Sequence, residues 1–207
     1  MRRLSLLVAV TTVVLLAGWL IAQATQQTTT QPVSAKEGPV NVFVINREGK
    51  LVGPVESPRV MKTDEEWQEQ LTPDQYKIAR AKGTERPFCG NLLDNKKHGV
   101  YACICCGLPL FESGAKFNSG TGWPSFFQPI GHGNVINHED RSYGMVRVEI
   151  LCARCDCHLG HVFEDGPKPT GLRFCVNSES LRFVDEADLA TLADPAANRA
   201  STQPAAK

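Results

Sequence analysis

The chain has no net charge: 22 Lys and Arg residues balance 22 Asp and Glu over 207 residues. Nucleic-acid binding normally needs a basic surface, so composition gives that class of partner no support. Aromatic residues are scarce, at 7%, and a core built from this sequence has to lean on aliphatic side chains. The length suits one domain with tails rather than two domains. Eight cysteines are too few for a disulfide-dense miniprotein of this length and too many for accident.

The N-terminus reads as an address. Arg2 and Arg3 precede a charge-free, mostly apolar run from Leu4 to Ala22, and Ala22-Gln23-Ala24 then supplies a small-x-small cleavage site. That is the grammar of a secretory signal peptide over residues 1–24. The run is also near the length that spans a bilayer, so an uncleaved anchor tethering the protein through residues 4–22 is the alternative. Either way the expectation is export to a periplasmic or other extracytoplasmic location, with cleavage favoured over anchoring. Residues 25–39 are polar and rich in Thr and Gln, the composition of a flexible linker.

Residues 40–70 read as an N-terminal extension. Asn41–Ile45 is β-prone, Asn46-Arg47-Glu48-Gly49 supplies a turn, and Leu51-Val52 returns as a second strand. Two helix starts follow. Thr63-Asp64-Glu65-Glu66 is a capping box, and Thr72-Pro73-Asp74-Gln75 is another, with proline at the first helical position. Tyr76, Ile78 and Ala79 give the second helix an apolar face, and Gly83 is its expected end. Beyond Gly83, short β-prone stretches alternate with turn residues. Val146–Ile150 alternates apolar and polar and predicts a half-buried strand, and Leu181–Val184 predicts another. Residues 185–207 form a C-terminal tail, read as one loose helix before a disordered end.

The sequence repeats one motif. Cys103-x-x-Cys106 and Cys152-x-x-Cys155 each suit a tight knuckle in which both thiolates face one tetrahedral ion. Gly107 fits the positive φ that such a turn requires. Four thiolates would hold a structural Zn²⁺ with no position open for catalysis. In an oxidising compartment the same pairs could instead close as disulfides. Cys105 and Cys157 sit beside the proposed ligands, as substitutes for them or as spare buried residues. A complete four-cysteine set leaves His158 and His161 free for other work.

Cys175 stands outside the clamp, in Arg173-Phe174-Cys175-Val176-Asn177. On a strand, Arg173, Cys175 and Asn177 would share one face, with Phe174 and Val176 on the other. A nearby guanidinium favours the thiolate. With Ser119-Gly120-Thr121-Gly122-Trp123-Pro124-Ser125-Phe126 and His158-Leu159-Gly160-His161-Val162-Phe163, the sequence offers a nucleophile, hydrogen-bond donors and an apolar plate.

These motifs, together with Lys82-Gly83-Thr84-Glu85, Asp140-Arg141-Ser142-Tyr143-Gly144-Met145 and Asp165-Gly166-Pro167, closely resemble the peptide-methionine (R)-S-oxide reductases, the B class of methionine sulfoxide reductases. The resemblance covers a catalytic domain over residues 71–184. It implies a mainly β fold of two antiparallel sheets, short N-terminal helices and a structural zinc. It implies Cys175 as the nucleophile that attacks the sulfoxide sulfur, and Trp123 as the plate for the substrate methyl group. His158, His161 and Asn177 would hold the sulfoxide oxygen and assist its protonation. Many members carry a resolving cysteine where this chain has Thr121. Cys89, in Arg86-Pro87-Phe88-Cys89-Gly90, is the candidate replacement, because some members place a resolving cysteine in this earlier region. Oxidised proteins or peptides are the implied substrates, a thioredoxin-like donor the implied reductant, and a monomer the expected state. Two other classes compete: a zinc module that binds a partner without catalysis, and a disulfide-stapled secreted domain. Neither accounts for Cys175 with its flanking Arg and Asn.

Overall fold

The computed structural model describes residues 38–200; the signal or anchor segment, most of the linker and residues 201–207 lie outside the described residues. Among the described residues no helix is long and apolar enough to cross a membrane.

The first strands, β1 (Val40–Ile45) and β2 (Leu51–Ser57), pair antiparallel. Asn46 shapes their turn, its side-chain oxygen accepting from the backbone N–H groups of Glu48 and Lys50. Val42, Val44 and Ile45 point into the core and are at most 1% exposed. Both capping boxes form. Thr63 and Glu66 cap α1 (Asp64–Gln70), and Thr72 and Gln75 cap α2 (Pro73–Ala79), with Pro73 opening the second helix. Trp67 on α1 is buried, with the Arg80 guanidinium 4.8 Å from its ring centroid. Gly83 is not the helix terminus: α2 stops at Ala79, and the left-handed residue after it is Lys82, at φ 55. Gly83 instead returns its N–H to the Lys77 carbonyl at 3.0 Å.

Two larger sheets carry the rest. One has three strands: β3 (Gly99–Cys103) lies between β4 (Pro109–Glu112) and β11 (Leu181–Asp185). The other has six, in the order β5 (Lys116–Phe117), β6 (Ser125–Phe126), β10 (Arg173–Val176), β9 (His158–Phe163), β8 (Arg147–Cys152) and β7 (Val135–Asp140). All their pairings are antiparallel. The fold is mainly β as expected, but with the N-terminal hairpin it has three sheets rather than two. Side chains at period two bury one face of each large sheet against the other. Phe111 of β4 stacks on Phe126 of β6, with centroids 4.4 Å apart, and lies 5.9 Å from Phe174 of β10. Tyr101 and Phe183 extend this aromatic cluster.

Two expectations are corrected. Strand β8 forms, but burial does not follow its alternation throughout: Ile150 is fully buried, while Val146 and Val148 are 69% and 40% exposed and Glu149 is 2% exposed. Glu149 turns inward because His158 and Lys82 satisfy its carboxylate. The segment after β11 is not one loose helix. Glu186–Leu192 is a 3₁₀ run and Ala197–Ala200 a short α3. Leu192, Ala196 and Ala197 are buried, the Asp194 N–H donates to the Ile45 carbonyl, and the Asp194 carboxylate pairs with Arg154.

Phe111 is fully buried between the sheets. Phe111→Ala is expected to lower the unfolding free energy by about 3–5 kcal/mol, read from urea denaturation. A loss under about 1 kcal/mol would mean that this aromatic contact does not hold the sheets together.

Candidate active site

The site is built around β10. It lies between β6 and β9, with Cys175 opposite Ser125 on one side and His161 on the other. Phe174 and Val176 face the core, 6% and 0% exposed, which leaves Arg173, Cys175 and Asn177 on the other face. Close approach of β9 depends on Gly160: at φ +150, a Cβ there would lie 2.0 Å from the Cys175 carbonyl oxygen.

A cleft of about 130 Å³ opens above Cys175, and its walls include Trp123, Arg147, His161, Phe163 and Asn177. It brings Cys175, Trp123, His161 and Asn177 together. His158 and Arg173 stand behind this wall rather than in it, and Cys89 lies outside, exposed on the preceding loop. A larger cleft of about 640 Å³ runs past Trp123 along Lys96, Lys97 and Lys116, away from Cys175.

Each cationic or imidazole group around Cys175 is backed by an acid. Arg173 is 8% exposed, and its guanidinium makes two 2.8 Å hydrogen bonds to the Asp165 carboxylate. His161 Nε2 lies 2.8 Å from Asp140, which also accepts from Arg147 at 2.6 Å and from the Ser142 N–H. His158 Nδ1 lies 2.7 Å from Glu149, and its buried Nε2 has no hydrogen-bond partner among the described residues. The two imidazole centroids are 5.7 Å apart.

The electrostatics follow from burial and these pairs. Burial would raise the Glu149 carboxyl, but hydrogen bonds from His158 and Lys82 hold it down at about 2. Burial also lowers His161, against the pull of Asp140. Burial pushes the Cys175 thiol above the ordinary range. The Arg173 charge and a hydrogen bond with Thr121 oppose that rise without cancelling it, and the Asp165 charge adds to it. The guanidinium therefore favours the thiolate as expected, but burial outweighs it.

Glu85 had no role in the sequence reading, although it lies in a quoted motif. Its N–H donates to Asn177 Oδ1, its carbonyl accepts from Trp123 Nε1, and its carboxylate accepts from the N–H groups of Ser178 and Glu179. One residue thus fixes the plate, the amide and the end of β10. Asn177 also donates from Nδ2 to the Leu159 carbonyl, so the second amide hydrogen is what it can offer a ligand.

The knuckle cysteines converge on the far side of this sheet region. The sulfurs of Cys103, Cys106, Cys152 and Cys155 all lie within 4.8 Å of one another. Cys103 approaches Cys155, and Cys106 approaches Cys152, each at 3.6 Å. A tetrahedral Zn–S bond of about 2.3 Å implies sulfurs about 3.8 Å apart, so the set fits such an ion. A disulfide needs about 2.05 Å. Gly107 turns the first knuckle at φ 75, as its position predicts.

The acid pairs make the Cys175 ionisation predictable. Arg173→Gln removes a cation that lowers the thiol pKa and leaves Asp165 unpaired, which raises it. Both changes move ionisation to higher pH. In a Cys89→Ser background, alkylation of Cys175 by iodoacetamide should slow about tenfold per unit of displacement when measured below the pKa. Asp165→Asn should shift the profile to lower pH. A profile that stays put in both variants would show that this pair does not govern the thiol.

Comparison with known proteins agrees with this geometry. The SelR domain model matches residues 71–185. The peptide methionine sulfoxide reductase MsrB of Hahella chejuensis is 58% identical over 125 residues, which cover 60% of this chain and 90% of that protein. The protein of the same name from Methanosarcina mazei is 57% identical over 130 residues, 63% of this chain and 93% of the relative. That from Acinetobacter baumannii is 58% identical over 125 residues, again 60% and 90%. With the domain match spanning more than half of the sequence and these relatives covered over at least nine-tenths of their length, the chain belongs to the SelR-domain, MsrB family.

Proposed function

We propose that this protein is a peptide-methionine (R)-S-oxide reductase that repairs oxidised proteins, with Cys175 as its nucleophile. The observation that carries the reading is the placement of Cys175 in a small cleft beside Trp123, His161 and Asn177. Trp123, held by its hydrogen bond to Glu85, supplies a flat apolar wall for a thioether methyl group. His161 and the free hydrogen of Asn177 supply the polar side, with His158 behind them.

Sulfoxide oxygen leaves poorly until it is protonated. The Cys175 sulfur attacks the sulfoxide sulfur while the S–O bond breaks. The thiol proton ends on the departing oxygen, relayed through His161 or His158. The S–S bond so formed links Cys175 to a sulfonium sulfur; the departed hydroxide then attacks the Cys175 sulfur, the S–S bond breaks with its electron pair leaving on methionine, and Cys175 is left as a sulfenic acid. An imidazole held by a carboxylate can pass that proton on, and both histidines are so held.

The sulfenic acid is then resolved by Cys89: a disulfide forms and water leaves. Cys89 is exposed, and its neighbour Phe88 donates its N–H to the Gly122 carbonyl at 2.8 Å. That bond seats the Cys89 loop beside Thr121, whose hydroxyl contacts Cys175. A thioredoxin-like dithiol reduces the disulfide and is itself oxidised. The metal held by Cys103, Cys106, Cys152 and Cys155 is zinc; when bound it supplies structure and no open coordination position. The apolar run after Arg2 and Arg3 supports export, so the donor works on the exported side. The protein acts as a monomer.

With dithiothreitol, wild type is expected to turn over a peptide carrying the R epimer of methionine sulfoxide and not the S epimer, and Cys175→Ser to lose at least about a thousandfold. No turnover by zinc-loaded, reduced wild type would overturn the assignment. Cys89→Ser should keep its dithiothreitol-driven rate but lose most turnover driven by thioredoxin. Equal thioredoxin-driven rates in Cys89→Ser and wild type would remove Cys89 as the resolving residue. Asn177→Ala and His161→Ala should each cost about 10²–10⁴ in kcat/KM, the range of a lost proton-transfer or oxygen-holding group.

A further inference from the structure

Two cysteines remain outside both the clamp and the proposed chemistry. Cys105 and Cys157 each lie next to a knuckle ligand, and they are only 5% and 0% exposed. Their sulfurs do not point away from the clamp. Cys103, Cys105 and Cys157 form a second group whose sulfurs also lie within 4.8 Å of one another, and Cys103 belongs to both groups. Six thiols from two loops therefore make one continuous sulfur cluster with a shared member.

We propose that Cys103, Cys105 and Cys157 form a second metal site, for a monovalent soft cation such as Cu(I), joined to the zinc site by a bridging Cys103 thiolate. The donor set is all sulfur, which selects thiophilic ions over oxygen-seeking ones. It has three members, and zinc in structural sites takes four ligands. A buried trigonal set of thiolates suits a d¹⁰ ion content with low coordination. Positive charge is at hand: the Arg80 guanidinium acts on Cys105 and donates to the Cys155 carbonyl at 2.8 Å. The loop positions are fixed independently of any ion. Gln70 Nε2 donates to the Cys105 carbonyl at 2.7 Å, and Arg154 donates to the Cys106 carbonyl at 2.6 Å. Cys157 immediately precedes His158, so an ion at this site would also anchor the start of β9.

The inference rests on the four-cysteine set holding zinc, and its test reads the two metals separately. Full-length protein is refolded anaerobically and fully reduced, with excess Zn(II) and one equivalent of Cu(I) held by a competing chelator. Both metals are then counted by mass spectrometry. Wild type is expected to retain about one zinc and take up about one copper. The Cys105→Ser, Cys157→Ser double variant should keep the zinc and leave the copper with the chelator. Copper bound equally by both proteins, bound only as zinc is lost, or not bound by wild type would overturn the proposal. Absence of zinc from both proteins would instead sink the four-cysteine assignment. X-ray absorption at the copper edge of wild type keeps the test open should the double variant fail to fold. Three sulfur neighbours are expected, and two sulfurs, or any nitrogen or oxygen ligand, would overturn the bridged site.

Discussion

The convergence of two short turns on one cluster of sulfurs is the constraint that positions everything else. The turn between β3 and β4 supplies Cys103 and Cys106, and the turn between β8 and β9 supplies Cys152 and Cys155. The first turn belongs to the three-stranded sheet and the second to the six-stranded sheet. The clamp therefore ties the layers together at one end, while the Phe111–Phe126 stack holds them along their faces. Strands β8 and β9 leave the clamp carrying Glu149, His158 and His161, so the geometry of the polar groups is inherited from the cysteine turn. Arg154, between Cys152 and Cys155, extends the same brace to Asp194 near the end of the described chain.

Around Cys175, each polar group is held by a second group that does not reach the cleft. Asp165 holds Arg173, Asp140 holds His161, Glu149 holds His158, and Glu85 holds both Trp123 and Asn177. Such supports fix rotamer and tautomer, which a reaction depending on one proton transfer requires. They also explain why the site tolerates so much burial. A buried imidazole or guanidinium without a partner would be costly, and here the acids offset that cost.

Much of this was legible in the sequence because the signals were local. The capping boxes at Thr63 and Thr72 span four residues each, the Cys-x-x-Cys turns likewise, and period two alone separates Phe174 and Val176 from Arg173, Cys175 and Asn177. What was not legible depends on distant partners. Glu85 meets Asn177 across 92 residues of sequence, and Arg154 meets Asp194 across 40. Alternation in β8 predicted a strand correctly but not which residues were buried. A glutamate with two partners can be interior and a valine exterior, and only the fold reveals the partners. Gly83 failed as a helix end for a similar reason: Lys82 took the left-handed conformation that glycine normally supplies.

The size of the cleft carries a consequence for what the protein can recognise. At about 130 Å³ it falls well below the roughly 300–1,000 Å³ that encloses a drug-sized ligand. It admits the tip of one side chain and leaves the rest of a polypeptide substrate outside. Recognition is then indifferent to most of the surrounding sequence, and the same pocket can serve many unrelated clients. The corresponding limit lies with the client: an oxidised side chain buried in its own core cannot enter until that core opens. For such lesions the pace of repair is governed by the local unfolding equilibrium of the damaged protein, not by the chemistry at the thiol.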